Sequence, residues 1–112
     1  MFSGTKGGSI KISDKKMHQD GKHYNKHGRN MGYSSAKEYD FAAKTFASKY
    51  QNHPDAKVND GIWNGKGSFN GQLQRIITYK EKTVIINPKT GQVIDFYFGN
   101  EYRGFITLKK IR

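Results

Sequence analysis

Three of the four histidines, His18, His23 and His27, fall within ten residues, and Lys22 and Lys26 adjoin the last two. Histidine suits proton transfer because its ordinary pKa lies near 6.5. Cleavage of RNA by its own 2′-hydroxyl needs a base near neutrality, an acid for the leaving oxygen and cations for the pentavalent oxyanion. The chain supplies those residue types, with Thr or Tyr hydroxyls to orient phosphate. It has no cluster of carboxylates for two-metal nuclease chemistry. The same histidines also raise a metal reading. His23 and His27 are four apart and would share a helix face, a spacing that suits Zn or Ni. Against this, the run His-Tyr-Asn-Lys-His lacks the metalloprotease glutamate, lysines adjoin the ligands, and His18 falls on another side of the helix. No metal and no cofactor is expected. A third reading is a binding domain without chemistry, in which Trp63, Tyr97 and Tyr102 stack on bases. No RRM, KH or zinc-finger signature supports it.

Charge points the same way. The chain has 112 residues, with 20 Lys and Arg against 9 Asp and Glu, for a net charge of +11. The excess sits in two blocks: residues 1–30 and 58–112 each carry +5, and the middle carries +1. Such a surface either stays solvated or meets an acidic partner, and RNA or DNA is the first candidate. The absence of cysteine excludes disulfides and thiolate chemistry. No apolar run approaches the roughly 20 residues of a membrane span, so a soluble domain is expected. The Met1 end lacks the apolar stretch of a secretory signal, so export would have to be supplied from outside this chain.

The length fits one domain, and the pattern predicts its parts. Residues 1–13 read as a flexible Gly- and Ser-rich lead-in, with a very short strand permitted at Ile10–Ile12. Residues 14–112 form the domain. Asp14 can cap a helix running to about Gly28. Ser35 and Glu38 form a capping box ahead of a second helix, whose apolar stripe is Tyr39, Ala42, Ala43, Phe46 and Tyr50. It should stop near Asn52, before Pro54. Residues 54–71 read as a loop with at most one short strand. Four β-rich runs follow, Leu73–Lys80, Thr83–Asn87, Gln92–Phe98 and Phe105–Ile111. Their short connections predict an α+β fold, N-terminal helices packed on a four-stranded antiparallel meander. By strand parity, Ile76, Ile94, Phe96, Phe98, Ile106 and Leu108 make the core face. Arg75, Asp95, Tyr97, Thr107 and Lys109 share the other face, which reads equally as a groove or as a plain wet surface.

Lys26-His27-Gly28, then Gly32-Tyr33-Ser34-Ser35, Glu38-Tyr39, Ala42-Ala43 and Phe46 resemble the C-terminal toxin domains of bacterial polymorphic toxins. These include contact-dependent inhibition toxins, colicin D and LXG-type toxins. Lys89-Thr90-Gly91, Val93–Phe98 and Gly104-Phe105-Ile106-Thr107 would be the later pieces of the pattern, which covers roughly residues 14–112. The resemblance implies the barnase/EndoU/colicin/RelE-like fold and a metal-independent endoribonuclease, often acting on tRNA. It also implies secretion or cell-surface delivery within a larger toxin, action in the cytoplasm of a target bacterium, and a cognate immunity protein. Charge complementarity makes that immunity protein acidic. A monomer with no membrane contact in the mature domain is expected.

By that resemblance His27 matches the catalytic histidine, Lys26 its basic neighbour and Thr107 the hydroxyl residue of the last strand. Lys109 stands where colicin D has Trp, and Tyr24 where a further lysine would fall. The expected catalytic set is His27, Lys26, Arg75, Thr107 and Tyr97. Lys26 and Arg75 would stabilise charge, and Thr107 and Tyr97 would position phosphate. His18, His23, Arg103, Lys109, Tyr102 and Trp63 form a second rank of catalytic or RNA-binding candidates. A metal-dependent DNase toxin and a non-catalytic basic RNA-binding domain are the alternatives.

Overall fold

A computed structural model describes residues 9–65, 67–100 and 104–111. Its helices are α1 (Asp20–His23), which runs directly into a π-helical turn (Tyr24–Gly28), and α2 (Ala36–Tyr50). Its strands are β1 (Lys57–Trp63), β2 (Leu73–Tyr79), β3 (Lys82–Ile86), β4 (Val93–Phe98) and β5 (Phe105–Lys110). They form one antiparallel sheet in the order β4-β3-β2-β1-β5. The fold is α+β, as the pattern predicts.

Ser35 caps α2 by accepting from Glu38 N at 3.1 Å, whereas the Glu38 carboxylate takes the Ser34 hydroxyl at 2.8 Å rather than closing the box. The buried stripe is Tyr39, Ala43, Phe46 and Ala47. It packs on Val58, Ile77, Val84, Ile86, Val93 and Phe96, which form the main core with Met17 and Tyr24. Tyr39 also ties the layers together, donating its hydroxyl to Phe96 O inside the core.

Four expectations are corrected. The first helix begins at Asp20, not Asp14. Met17 is buried and its amide donates to Asp40 at 2.8 Å, while His18 N donates to Val93 O at 3.0 Å. Those bonds hold residues 14–18 against α2 and β4, and Gln19 then turns through a left-handed conformation. Residues 9–13 form no strand; Ile10 is gripped by Gln51, and Ser13 N donates to Gly91 O.

Among the described residues the sheet has five strands rather than four. Lys57–Trp63 is a central strand despite its Asn59-Asp60-Gly61 turn-formers, because pairing on both sides outweighs local preference. β5 therefore pairs with β1, not β4, and the last four runs do not form a meander. Six residues extended at about 3.3 Å each can cross four strand spacings of about 4.8 Å, so a short connection did not compel neighbours.

The fourth correction concerns the faces. Register aligns Ile76, Ile85 and Asp95 in one row, and Ile77, Val84 and Phe96 in the next. Ile76 therefore shares a face with Asp95, and Phe96 lies under α2 with Ile77. A β-bulge between β3 and β4 adds Ile94 to the Asp95 face. Phe98, Ile106 and Leu108, expected in the core, are exposed.

Candidate active site

The π-helical turn packs against α2 and β4, and its ladder closes five residues apart, with Arg29 N donating to Tyr24 O at 3.0 Å. Such turns recur at functional sites because they reposition side chains within a helix. Here the end of α1 sets His23, and the turn sets His27, against the second face of the sheet, the one α2 leaves uncovered.

Asp95 joins them. His23 Nδ1 lies 2.8 Å from Asp95 Oδ1, and His27 Nε2 lies 3.7 Å from the same oxygen. The carboxylate is itself fixed, since Phe96 N donates to Oδ1 at 2.8 Å. The His23 contact is off the ring N–H direction, so it is a close approach without the alignment of a hydrogen bond. The imidazoles stand nearly perpendicular to each other, with centroids 6.2 Å apart for His23–His27 and 6.1 Å for His18–His23. His18 packs on Phe69 at 4.4 Å, and His27 packs on Tyr97 at 5.5 Å.

The three histidines, Asp95 and Phe69 line a cleft of about 450 Å³. Lys22 and Lys26 rim it, and Trp63, Phe69, Gln74, Ile85, Ile94 and Phe105 supply its floor and far wall. Burial lowers the His27 pKa from its ordinary value, aided by Lys26 and His23 and opposed by Asp95. His18 is lowered chiefly by burial and then by His23, with Asp95 opposing. Both imidazoles are thus biased toward the neutral form that accepts a proton at pH 7.

The structure brings His27, Lys26, His18, His23 and Trp63 together at the cleft, and Tyr97 meets it through His27. Arg75 does not. It shares a row with Asp60 and Ile86 on the α2 side, and grips Asp60 through Nε at 2.7 Å and a second nitrogen at 2.9 Å. Lys109 is exposed, opposite Asp60 on β5, and does not line the cleft. Thr107 lies in β5, with its side chain outside the described residues, as are Tyr102 and Arg103 altogether.

Asp95, Lys22, Phe69 and Gln74 are the residues that sequence reasoning left out of the site. Asp95 was legible as an acid on an alternating strand. Nothing marked Gln74 or Phe69, because the register that brings them to the cleft is a tertiary property.

Comparison with family models, with curated proteins and with solved structures finds no match. Among the described residues, no group of three or more His, Cys, Asp or Glu side chains is set to hold a metal ion. Nor is any helix among them long and apolar enough to cross a membrane. A wider recess of about 680 Å³ opens on the α2 side, lined by Phe41, Phe46, Tyr50, Tyr79 and Phe98 among others. No histidine lines it, so the histidine cluster lies in the smaller cleft alone.

Proposed function

We propose that the chain is a metal-independent endoribonuclease, with the histidine cleft as its active site. One observation carries the reading: two imidazoles on a shared carboxylate, inside a cleft rimmed by two lysines. His27, held toward its neutral form, takes the proton from the ribose 2′-hydroxyl. The 2′ oxygen attacks phosphorus, and Lys22 and Lys26 neutralise the charge that builds on the phosphoryl oxygens. His23, held against Asp95, gives a proton to the leaving 5′ oxygen. The products are a 2′,3′-cyclic phosphate and a 5′-hydroxyl end. A pair of imidazoles in these roles contributes about 10²–10⁴-fold per proton transfer.

The architecture of helices against an antiparallel sheet supports a barnase/EndoU/colicin/RelE-like assignment as part of the same proposal. With it come the remaining elements of the toxin reading: tRNA as substrate, delivery within a larger protein, and action in a target cell. An acidic immunity protein that covers the lysine rim completes it, because opposite charge speeds that encounter.

The test is incubation of the purified protein with total RNA and with plasmid DNA, with and without EDTA. The proposal expects RNA fragments with cyclic phosphate ends, insensitive to chelator, and their loss in His27→Ala with the fold retained. Cleavage of plasmid that stops with EDTA would identify a metal-dependent DNase. Salt-sensitive RNA binding with no new ends would identify a binding domain.

A further inference from the structure

The cleft has a second half that proton transfer does not use. Beyond the histidines, its surface is aromatic and aliphatic: Trp63, Phe69, Phe105, Ile85 and Ile94. Into this apolar floor the fold sets one carboxamide. Gln74 is only 2% exposed, yet it lines the cleft. Among the described residues its side chain makes a single hydrogen bond, Nε2 to Gln72 Oε1 at 3.1 Å. That leaves the carbonyl oxygen and one N–H without partners among the described residues, at the surface of the cleft.

Trp63 is held firmly at the far side. Its ring packs edge-on against Phe105 at 5.3 Å and lies against Gly65 and Gly104, where any Cβ would collide with it. The cleft thus joins a cationic rim, a proton-transfer pair and a flat apolar slot with a free donor–acceptor pair at its base. A planar heterocycle attached to a phosphate has that same sequence of properties. Every nucleobase presents adjacent donors and acceptors on its pairing edge, and stacking on aromatic rings is worth about 1–3 kcal/mol per base.

We propose that this slot is a nucleobase subsite, in which Gln74 reads the pairing edge of an unpaired nucleotide stacked against Trp63 and Phe69. The inference rests on the ribonuclease reading for its substrate, and it narrows that substrate to single-stranded RNA with a base preference beside the cut. A base in a duplex has its pairing edge occupied and its faces stacked, so only loops and single strands can enter.

The experiment has two arms. In the first, wild type, Gln74→Leu and Gln74→Glu cleave a randomised single-stranded RNA, and the ends are sequenced. Wild type should favour one base at one position beside the cut. Gln74→Leu should flatten that preference by about fivefold or more, the weight of a bidentate base contact. Gln74→Glu should shift it toward guanine, whose N1–H and N2–H both donate. In the second arm, fluorescence anisotropy measures binding of four short oligomers that differ in one base and carry 2′-deoxyribose throughout, so they cannot be cut by 2′-hydroxyl attack. A base preference here that Gln74→Leu removes upholds the subsite even if no RNA is cut, in which case the ribonuclease reading alone fails. Equal affinity for all four oligomers, together with an unbiased cleavage profile or none, overturns the subsite. A biased profile that both Gln74 variants preserve overturns Gln74 as its reader. If Gln74→Leu does not fold, the direction of change in Gln74→Glu decides.

Discussion

His23 Nδ1 lies 2.8 Å from Asp95 Oδ1, linking the last residue of α1 to β4. The same oxygen lies 3.7 Å from His27 Nε2, so one carboxylate couples two imidazoles that come from a single stretch of five residues. The helix supplies the spacing, and the strand supplies the charge. Neither element alone brings the three groups together.

Asp95→Asn tests that coupling. The carboxylate raises the His27 pKa against the lowering effect of burial. Removing its charge should let that pKa fall further. The acidic limb of the pH–rate profile, where neutral His27 is required, should then move to lower pH. At neutral pH the loss of the charge beside both imidazoles should reduce kcat/KM by about 10- to 100-fold. An acidic limb that does not move would remove Asp95 from the mechanism.

The same burial makes stability depend on pH. His18 and His27 both have folded-state pKa values below 6.5, with burial as the first cause. Between the folded and unfolded values the unfolded chain binds more protons, so stability rises with pH there. The contribution is complete above pH 6.5 and is lost as pH falls through the folded-state values. The thermal midpoint should be flat from pH 7 to 8 and decline below about 6.5. A His18→Gln, His27→Gln double variant should flatten that decline, leaving only the loss from carboxylate protonation at lower pH. Differential scanning fluorimetry across pH 4 to 8 reads both curves.

Much of this arrangement was legible in the chain. The Ser35 cap, the Tyr39–Phe46 stripe and the period-two runs each leave a local signature, and α2, β2, β3 and β4 follow them closely. His18, His23 and His27 are neighbours in sequence, so their grouping needed no tertiary information. What was illegible depended on partners far along the chain. Lys57–Trp63 becomes a strand only because β2 and β5 flank it. The bulge at Ile94 and the pairing of Ile76 with Ile85 decide which residues share the face of Asp95, and no periodicity encodes that register. Arg75 shows the consequence, because its parity relative to Asp95 reversed and its role changed with it.

Arg75 is therefore expected to act on stability rather than on turnover. Its guanidinium and the Asp60 carboxylate are both largely withdrawn from water and joined in bidentate fashion. Arg75→Ala leaves a carboxylate desolvated without its cation, at a cost of about 3–5 kcal/mol. Replacing both partners, Arg75→Met with Asp60→Leu, should recover most of that loss. Urea unfolding measures the difference, and the turnover per folded molecule should change little. A large fall in turnover at full stability would return Arg75 to the chemistry.

Gly28 ends the π-helical turn directly after His27, and it is the point at which the turn meets the core. A Cβ there would lie 2.5 Å from Tyr24 Cδ1 and 2.9 Å from the Tyr39 ring. Neither ring can readily withdraw: the Tyr24 hydroxyl donates to Tyr33 O at 2.9 Å, and the Tyr39 hydroxyl donates to Phe96 O. The backbone must move instead, although Gly28 O also accepts from Met31 N and Tyr33 N. Gly28→Ala should therefore cost about 1–3 kcal/mol, as overpacking does elsewhere. Its effect on cleavage should be larger than its effect on folding. Lifting the turn by about 1 Å carries His27 away from Asp95 and Tyr97, and misplacement on that scale costs roughly 10²-fold in rate. Initial rates at a temperature where the variant is fully folded separate the two effects. A Gly28→Ala protein with normal stability and normal rate would mean that the two tyrosine rings yield, and that the position of His27 is set by β4 alone.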